Sequence, residues 1–384
     1  MPELKQDPRL SILIPTFNRY GRLYRGLVYL DGISRLPQHQ KLFESIEIII
    51  ADGTIPSRGQ SSTNSALLRG ISSIVDKLNQ KTSIEFASHP GVGLLERFSW
   101  LSAKARGDYV TMLGDEDLLV FDSISSWLDE LDIRHDCVAI AGQYLNIKGY
   151  KYCGLRLKIL MEEGLVNGVD VDADDVKNRL IQWTALGSNG IPSISYSLMR
   201  RDVFSSFGRC LDNFSQDLTY CGAEYILNLL MLGAGKVSIK NLPYVVRDYT
   251  FLDHTSSHDP SWSDDSQEKK IWREGFFHLN NLYSCFSNPA ELEEFVDWLR
   301  SFSSFGVQGR FALLRTVSSC QVTLGRQLWK NLSPPSRRQV ANAWRSTAEF
   351  CYDKKDLKII GLPAFFFKSF VGRLIYSLLS MFRV

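Results

Sequence analysis

No two of the seven cysteines form a Cys-x-x-Cys pair: they fall at 137, 153, 210, 221, 285, 320 and 351 of 384 residues. Zinc sites and disulfide frameworks use closer or paired spacings, so this scatter points to a reducing compartment. No window holds the ~18 unbroken apolar residues that a membrane-spanning helix requires. The opening MPELK has no basic stretch leading into a long apolar run, so no secretory signal is expected and the expected location is cytoplasmic. Charge of one sign is also scarce. Lys and Arg number 44 against 42 Asp and Glu, and a formal +2 is too weak a field to imply a nucleic-acid partner. Repeats and low-complexity tracts are missing, and 44% hydrophobic with 22% charged residues excludes disorder over most of the length.

What is present is an alternation of strand and helix patterns. Residues 10–14 form a short apolar run closed by Pro15, and Leu23, Leu27 and Leu30 follow at helical spacing. Residues 46–50 make a second buried-strand run ending in the turn pair Asp52-Gly53, and 84–86 a third candidate. Leu94, Leu95, Phe98, Leu101 and Ala105 then give a helix with one apolar stripe, stopped by Gly107 before a strand at 109–113. Such alternation predicts an α/β fold, a mixed, mostly parallel sheet flanked by helices. Ligands bind such sheets beyond the carboxyl ends of the strands. Those ends are Pro15-Thr16-Phe17-Asn18, Ala51-Asp52-Gly53 and Gly114-Asp115-Glu116-Asp117, polar or acidic in every case.

Later strands are expected at 138–142, 196–199, 237–239 and 244–246, with a helix over 224–232; the stretch 150–190 shows no clear period. Beyond about 260 the pattern becomes helical, at 272–286, 292–302, 311–329 and 337–351. We therefore divide the chain into 1–258 and a helical C-terminal region, 259–384. Its last segment, 358–384, is apolar and basic, which suits peripheral contact with an anionic membrane face. A terminal helix packed on the domain, its basic residues opposing the helix dipole, reads equally well.

Three adjacent carboxylates, Asp115, Glu116 and Asp117, repel one another and call for a counter-charge. A hard divalent ion shared with substrate phosphates supplies one; an exposed acidic turn before a helix near Phe121 is the plainer alternative.

Context favours the first. GVGLLERFSWLSAKARGDYVTMLGDEDLL (91–119) resembles the central segment of family 2 glycosyltransferases, in which a helix leads through Ala-x-Gly-(Glu/Asp)-Tyr into a strand ending in a DxD acidic motif. SILIPTFNR (11–19) and IEIIIADGT (46–54) resemble that family's first two strands, with Ala51 standing where the first of two acids is usual. The resemblance implies a GT-A, Rossmann-like fold with a helical C-terminal extension. It implies inverting transfer from a nucleotide-sugar donor to a hydroxyl of a glycan or lipid-linked acceptor, in surface polysaccharide biosynthesis, with Mn²⁺ or Mg²⁺. Carried over by position, Pro15, Thr16, Phe17 and Asp52 would hold the nucleoside, Asp115 and Glu116 the ribose and metal region, and Asp117 the metal. AEYILNLLMLGAGKV (223–237) matches the family's base-bearing helix and puts Glu224 at the general base, with Asp217 the fallback. His254 would complete the metal site, with Arg247 near the phosphates. Arg97 reads as a helix-surface arginine, and Arg200 and Arg201 as structural.

Two other readings compete. A sugar nucleotidylyltransferase would carry a glycine-rich loop after the first strand, and PTFNR (15–19) has no glycine. A catalytically degenerate relative, kept as a glycan-binding or assembly subunit, is consistent with Ala51 and the irregular base motif.

Overall fold

The computed structural model describes residues 7–55, 62–152, 155–163, 170–185, 194–213, 220–249, 290 and 329–351. Strand β1 (Leu10–Thr16) and strand β2 (Ile46–Asp52) are the two apolar runs, buried along almost their whole length. Between them lie helices α1 (Tyr20–Ser34) and α2 (Pro37–Glu44). Helix α3 (Ser62–Asn79), β3 (Ser83–Ser88), α4 (Leu94–Lys104) and β4 (Tyr109–Met112) follow in alternation. After the short β5 (Leu118–Leu119) come α5 (Ile124–Ile133), β6 (Cys137–Tyr152), β7 (Leu155–Glu163) and α6 (Val176–Ala185). The last run is β8 (Ser197–Arg200), α7 (Arg201–Asn213), α8 (Tyr220–Ala234), β9 (Lys236–Tyr249) and α9 (Pro334–Cys351).

These strands form one sheet in the order β3-β2-β1-β4-β8-β6-β9-β5, with β7 paired to β6 off that path. The block β3-β2-β1-β4 is parallel throughout, and β8 and β5 run antiparallel to their neighbours. The expected α/β class, a mixed sheet flanked by helices, is what the chain adopts.

Alternation along the strands splits the core in two. Leu10, Ile12 and Ile14 of β1 face one side with Ile46, Ile48 and Ile50 of β2, against α1, α3 and α5. Leu13, Ile49 and Ala51 face the other, against α4, α7 and α8. Continuous apolar strands are what a sheet covered on both faces demands. Leu332, Val340 and Ala343, from α9 and the residue before its cap, join the first of these cores, and α9 packs on α1.

Register brings the three polar ends to one edge. Thr16 pairs with Asp52, and Leu13 with Met112, so β4 ends just before Gly114 on the same side. The hydrogen bond from the Leu113 N–H to the Leu13 carbonyl, 2.9 Å, holds that exit in place.

Several elements differ from the sequence reading. The expected strands at 237–239 and 244–246 are one strand, β9, whose pairing to β6 jumps from Ile239 to Pro243. Proline cannot donate to the ladder, and the irregularity absorbs it. The unplaced stretch 150–190 contains the β6–β7 hairpin and α6, and β6 runs ten residues past the expected end at 142. The expected helices at 272–286 and 292–302 and the segment 358–384 lie outside the described residues. The expected 337–351 helix is α9, with Pro334 and Pro335 opening it, where the first N–H groups have no helical partner to lose. No helix among the described residues is long and apolar enough to cross a membrane.

Candidate active site

The β1 exit turns on Asn18, whose φ of 55° lies in the left-handed region that Asn tolerates better than most residues. Its N–H donates to Thr54 Oγ1 at 2.8 Å, and the turn delivers Arg19 as the N-cap of α1. Asp52 is 3% exposed. Its Oδ1 accepts from the Thr54 N–H at 2.9 Å and its Oδ2 from the Tyr20 hydroxyl at 3.2 Å.

Arg97, read as a surface residue of α4, is instead 4% exposed. Its Nη1 donates to the carbonyls of Thr16 and Ala51, its Nε to the Gly93 carbonyl at 3.2 Å, and its guanidinium lies 5.8 Å from the Phe17 ring centre. Burial pulls its pKa down, and Asp52 and Asp115 pull it partly back. The same guanidinium explains Gly53: a Cβ there would come within 2.9 Å of Arg97 Nε and 3.0 Å of the Val92 carbonyl. Ala51 projects into the α4-side core, where a carboxylate would have no water.

The acidic turn is held from three sides. Thr16 Oγ1 donates to Asp115 Oδ2 at 2.8 Å, and the Asp117 N–H closes the turn on the Gly114 carbonyl at 3.0 Å. Arg19 Nη1 reaches Asp115 Oδ1 at 3.2 Å and Glu116 Oε2 at 2.7 Å, and Arg22 also pairs with Glu116 Oε2. Arg247 Nε stands 3.6 Å from Asp117 Oδ2 while its guanidinium lies over the rings of Tyr196 and Tyr144, at 4.0 and 4.7 Å. Three guanidiniums thus face three carboxylates. The sequence reading did not find Arg19 or Arg22. Their spacing, three apart at the start of a helix, puts both on one face, and that was the available signal.

Burial still dominates the acids' protonation. Asp115 and Asp117 are 6% and 4% exposed. Burial raises the pKa of Asp115 against the pull of Arg19, and raises Asp117 to about 7 despite Arg247, with Glu116 and Asp115 adding to the rise. Asp117 is therefore under-compensated. Both Asp115 oxygens and Glu116 Oε2 are engaged, whereas Arg247 stays beyond hydrogen-bonding distance of Asp117. Mg²⁺-type ions are satisfied by one or two carboxylates plus phosphate oxygens and water. Asp115, both of whose oxygens are engaged here, and Asp117, which does not line the cavity, are the two carboxylates that would supply that minimum. No group of three His, Cys, Asp or Glu side chains suited to a metal converges among the described residues, and His254 lies outside them.

A cavity of about 440 Å³ opens at this edge. Its walls include Pro15, Thr16, Phe17, Arg19, Arg97, Asp115, Glu116 and Tyr196, with Gly91, Val92, Gly93 and Leu94 leading into α4. Asp52, Asp117 and Arg247 are not among the lining residues; the Asp117 N–H bonds the carbonyl of the lining residue Gly114, and the Arg247 guanidinium lies on the ring of the lining residue Tyr196.

Glu224, in the first turns of α8, is not among the residues lining this cavity. Its backbone carbonyl accepts from Ser195 Oγ at 3.0 Å, and Ser195 precedes the lining residue Tyr196. Asp217 falls outside the described residues. Arg200 binds the Cys137 and Leu131 carbonyls at 3.0 and 2.6 Å, and Arg201 the Arg106 carbonyl at 2.7 Å, structural contacts as expected.

No protein-family profile and no curated protein sequence matches this chain. Solved structures do. The fold resembles that of Staphylococcus aureus TarS. The crystal structure of TarS residues 1–349 matches at a TM-score of 0.50 and 12% identity, over 89% of this chain and 90% of that one. The same protein in complex with UDP-GlcNAc matches at 0.51, with the same identity and coverage. At this identity the likeness shows the fold.

Proposed function

We propose that the chain is an inverting glycosyltransferase that takes a nucleotide-sugar donor and a glycan or lipid-linked acceptor. One observation carries the reading. Thr16 at the end of β1, the acidic turn after β4 and Arg97 of α4 meet around one cavity of a size to hold a nucleotide. That a structure of this fold has been solved with UDP-GlcNAc is in keeping with it.

In this reading Pro15, Thr16 and Phe17 form the nucleoside wall. Asp52 fixes the loop through Thr54 and Tyr20, and would accept a hydrogen bond from the base. Arg97, locked by backbone carbonyls, holds the ends of β1 and β2 at a constant separation. Asp117 and Asp115 would hold a divalent cation, with His254 a further ligand. Bound there, Mn²⁺ or Mg²⁺ would neutralise charge developing on the departing nucleoside diphosphate. Arg247, stacked on Tyr196, keeps Asp117 oriented toward that charge. Glu224 accepts the proton of the acceptor hydroxyl as it attacks the anomeric carbon from the opposite side. The acceptor belongs to a surface polysaccharide or its lipid-linked precursor, and the basic apolar segment 358–384 meets the cytoplasmic membrane face.

Incubating the protein with a panel of nucleotide-sugars and Mn²⁺ tests this, because such enzymes slowly hydrolyse a bound donor. Release of nucleoside diphosphate from one donor, abolished in Glu224→Gln with donor binding retained, is expected. Binding without release from any donor would instead favour a glycan-binding or assembly subunit.

A further inference from the structure

We infer that Arg19 is a donor-phosphate ligand held in reserve on Asp115 and Glu116, and released to the diphosphate when a divalent cation takes its place on the acids. The inference rests on the transferase reading above and concerns how the acidic turn is neutralised before and after the donor arrives.

Five arginines stand near this turn, and their surroundings differ. Arg25 is almost wholly buried and donates from Nη2 to the Glu116 carbonyl at 3.5 Å. Arg97 is bound to backbone carbonyls and almost wholly buried. Arg247 lies against two aromatic rings. Arg22 pairs with Glu116 but does not line the cavity. Arg19 does line it, keeps 19% of its side chain exposed, and spans Asp115 and Glu116. It rests on the carboxylate that an incoming cation would claim, and it sits where that cation's phosphate partners would arrive.

Charge balance gives the direction. Without ligand, the carboxylates of Asp115, Glu116 and Asp117 face the guanidiniums of Arg19, Arg22 and Arg247, and Arg25 adds a further positive charge at the Glu116 carbonyl. A divalent ion alone would add two uncompensated positive charges to a buried turn, so it binds poorly by itself. The donor's diphosphate adds two negative charges alongside the ion's two positive ones. The net charge of the turn is then unchanged if Arg19 stays in the cavity and changes partner from carboxylate to phosphate. A planar guanidinium suits that exchange, because its fork matches phosphate oxygens as well as carboxylate oxygens. Arg22 remains on Glu116, so the third acid stays neutralised when Arg19 leaves.

The consequence is a pair of opposite effects in one variant. Titration calorimetry of Arg19→Gln with Mn²⁺ alone should show binding tighter than the native protein by about tenfold, while Mn²⁺ with inorganic pyrophosphate should bind about tenfold more weakly, the size of one charged hydrogen bond. Arg19→Lys keeps the charge but not the fork. It should return Mn²⁺ binding to the native value and restore pyrophosphate binding only in part. A thermal melt confirms that both variants are folded. If Mn²⁺ and pyrophosphate bind Arg19→Gln as they bind the native protein, or both weaken together, Arg19 is a structural residue and the inference falls while the transferase reading stands. If the native protein binds neither Mn²⁺ nor Mn²⁺ with pyrophosphate, both fall.

Discussion

Thr16 Oγ1 donates a 2.8 Å hydrogen bond to Asp115 Oδ2, tying the end of the first strand to an acidic turn 99 residues later. The contact is buried, and its acceptor is a carboxylate whose pKa burial already pushes upward. Thr16→Val keeps the shape and removes the donor. Urea unfolding should show a loss of about 1–3 kcal/mol, the usual range when a buried charged acceptor loses a partner. Donor binding by the same variant should weaken as well, because Asp115 would lose its fixed orientation.

Gly53 is required by its neighbour. Gly53→Ala would drive a methyl group into Arg97 Nε and the Val92 carbonyl, at 2.9 and 3.0 Å. The backbone carbonyl can yield only by moving the loop, so the variant should lose about 1–3 kcal/mol, typical of overpacking. Nucleotide affinity should fall with it. Unchanged unfolding midpoint and affinity would show that the loop gives way freely.

Asp122 fastens α9 to the sheet. It accepts from the Ser333 N–H at 2.8 Å, the Ser333 hydroxyl at 3.0 Å and the Ser336 hydroxyl at 2.7 Å, with His39 Nε2 at 3.5 Å. Burial alone would raise this carboxyl, but the contacts with His39, Ser333 and Ser336 outweigh it and hold the pKa at about 2, below the ordinary 3.8. A pKa depressed on folding adds stability that is present above 3.8 and is lost as pH falls toward 2. Asp122→Asn should therefore be less stable than the native protein at pH 7, and the gap should narrow between pH 4 and pH 2. A gap of constant size across that window would contradict the assignment.

Glu224→Gln separates binding from turnover. The donor should bind as before, since no part of the nucleotide wall comes from α8. Transfer and donor hydrolysis should fall by about 10²–10⁴-fold, the contribution of a positioned general base. Unimpaired turnover would move the role to Asp217.

How much of this could be read in the sequence follows from how local each signal is. β1, β2 and β4 were legible because strands buried on both faces are continuous apolar runs. Their ends, and hence Thr16, Asp52 and Asp115, were legible with them. β9 was read as two strands because the break around Pro243 is resolved only by a jump in its pairing with β6. The β6–β7 hairpin left no clear period in the sequence. Arg19 and Arg22 escaped because their spacing shows only that they share a helix face, while their partner, a turn more than 90 residues away, leaves no mark in the local sequence. Arg97 was misread for a related reason: it lies on the inward face of α4, toward carbonyls supplied by other strands. Propensity says which face of a helix is apolar, not which arginine finds buried acceptors.

The central claim is that Asp115 and Asp117 together grip a divalent ion that neutralises the donor's diphosphate. Titration calorimetry of Mn²⁺ with a nucleotide-sugar tests it most directly, in the native protein and in Asp115→Ala/Asp117→Ala. The native protein should bind, and the folded double variant should give no measurable heat. Tight binding retained by the double variant would contradict the account.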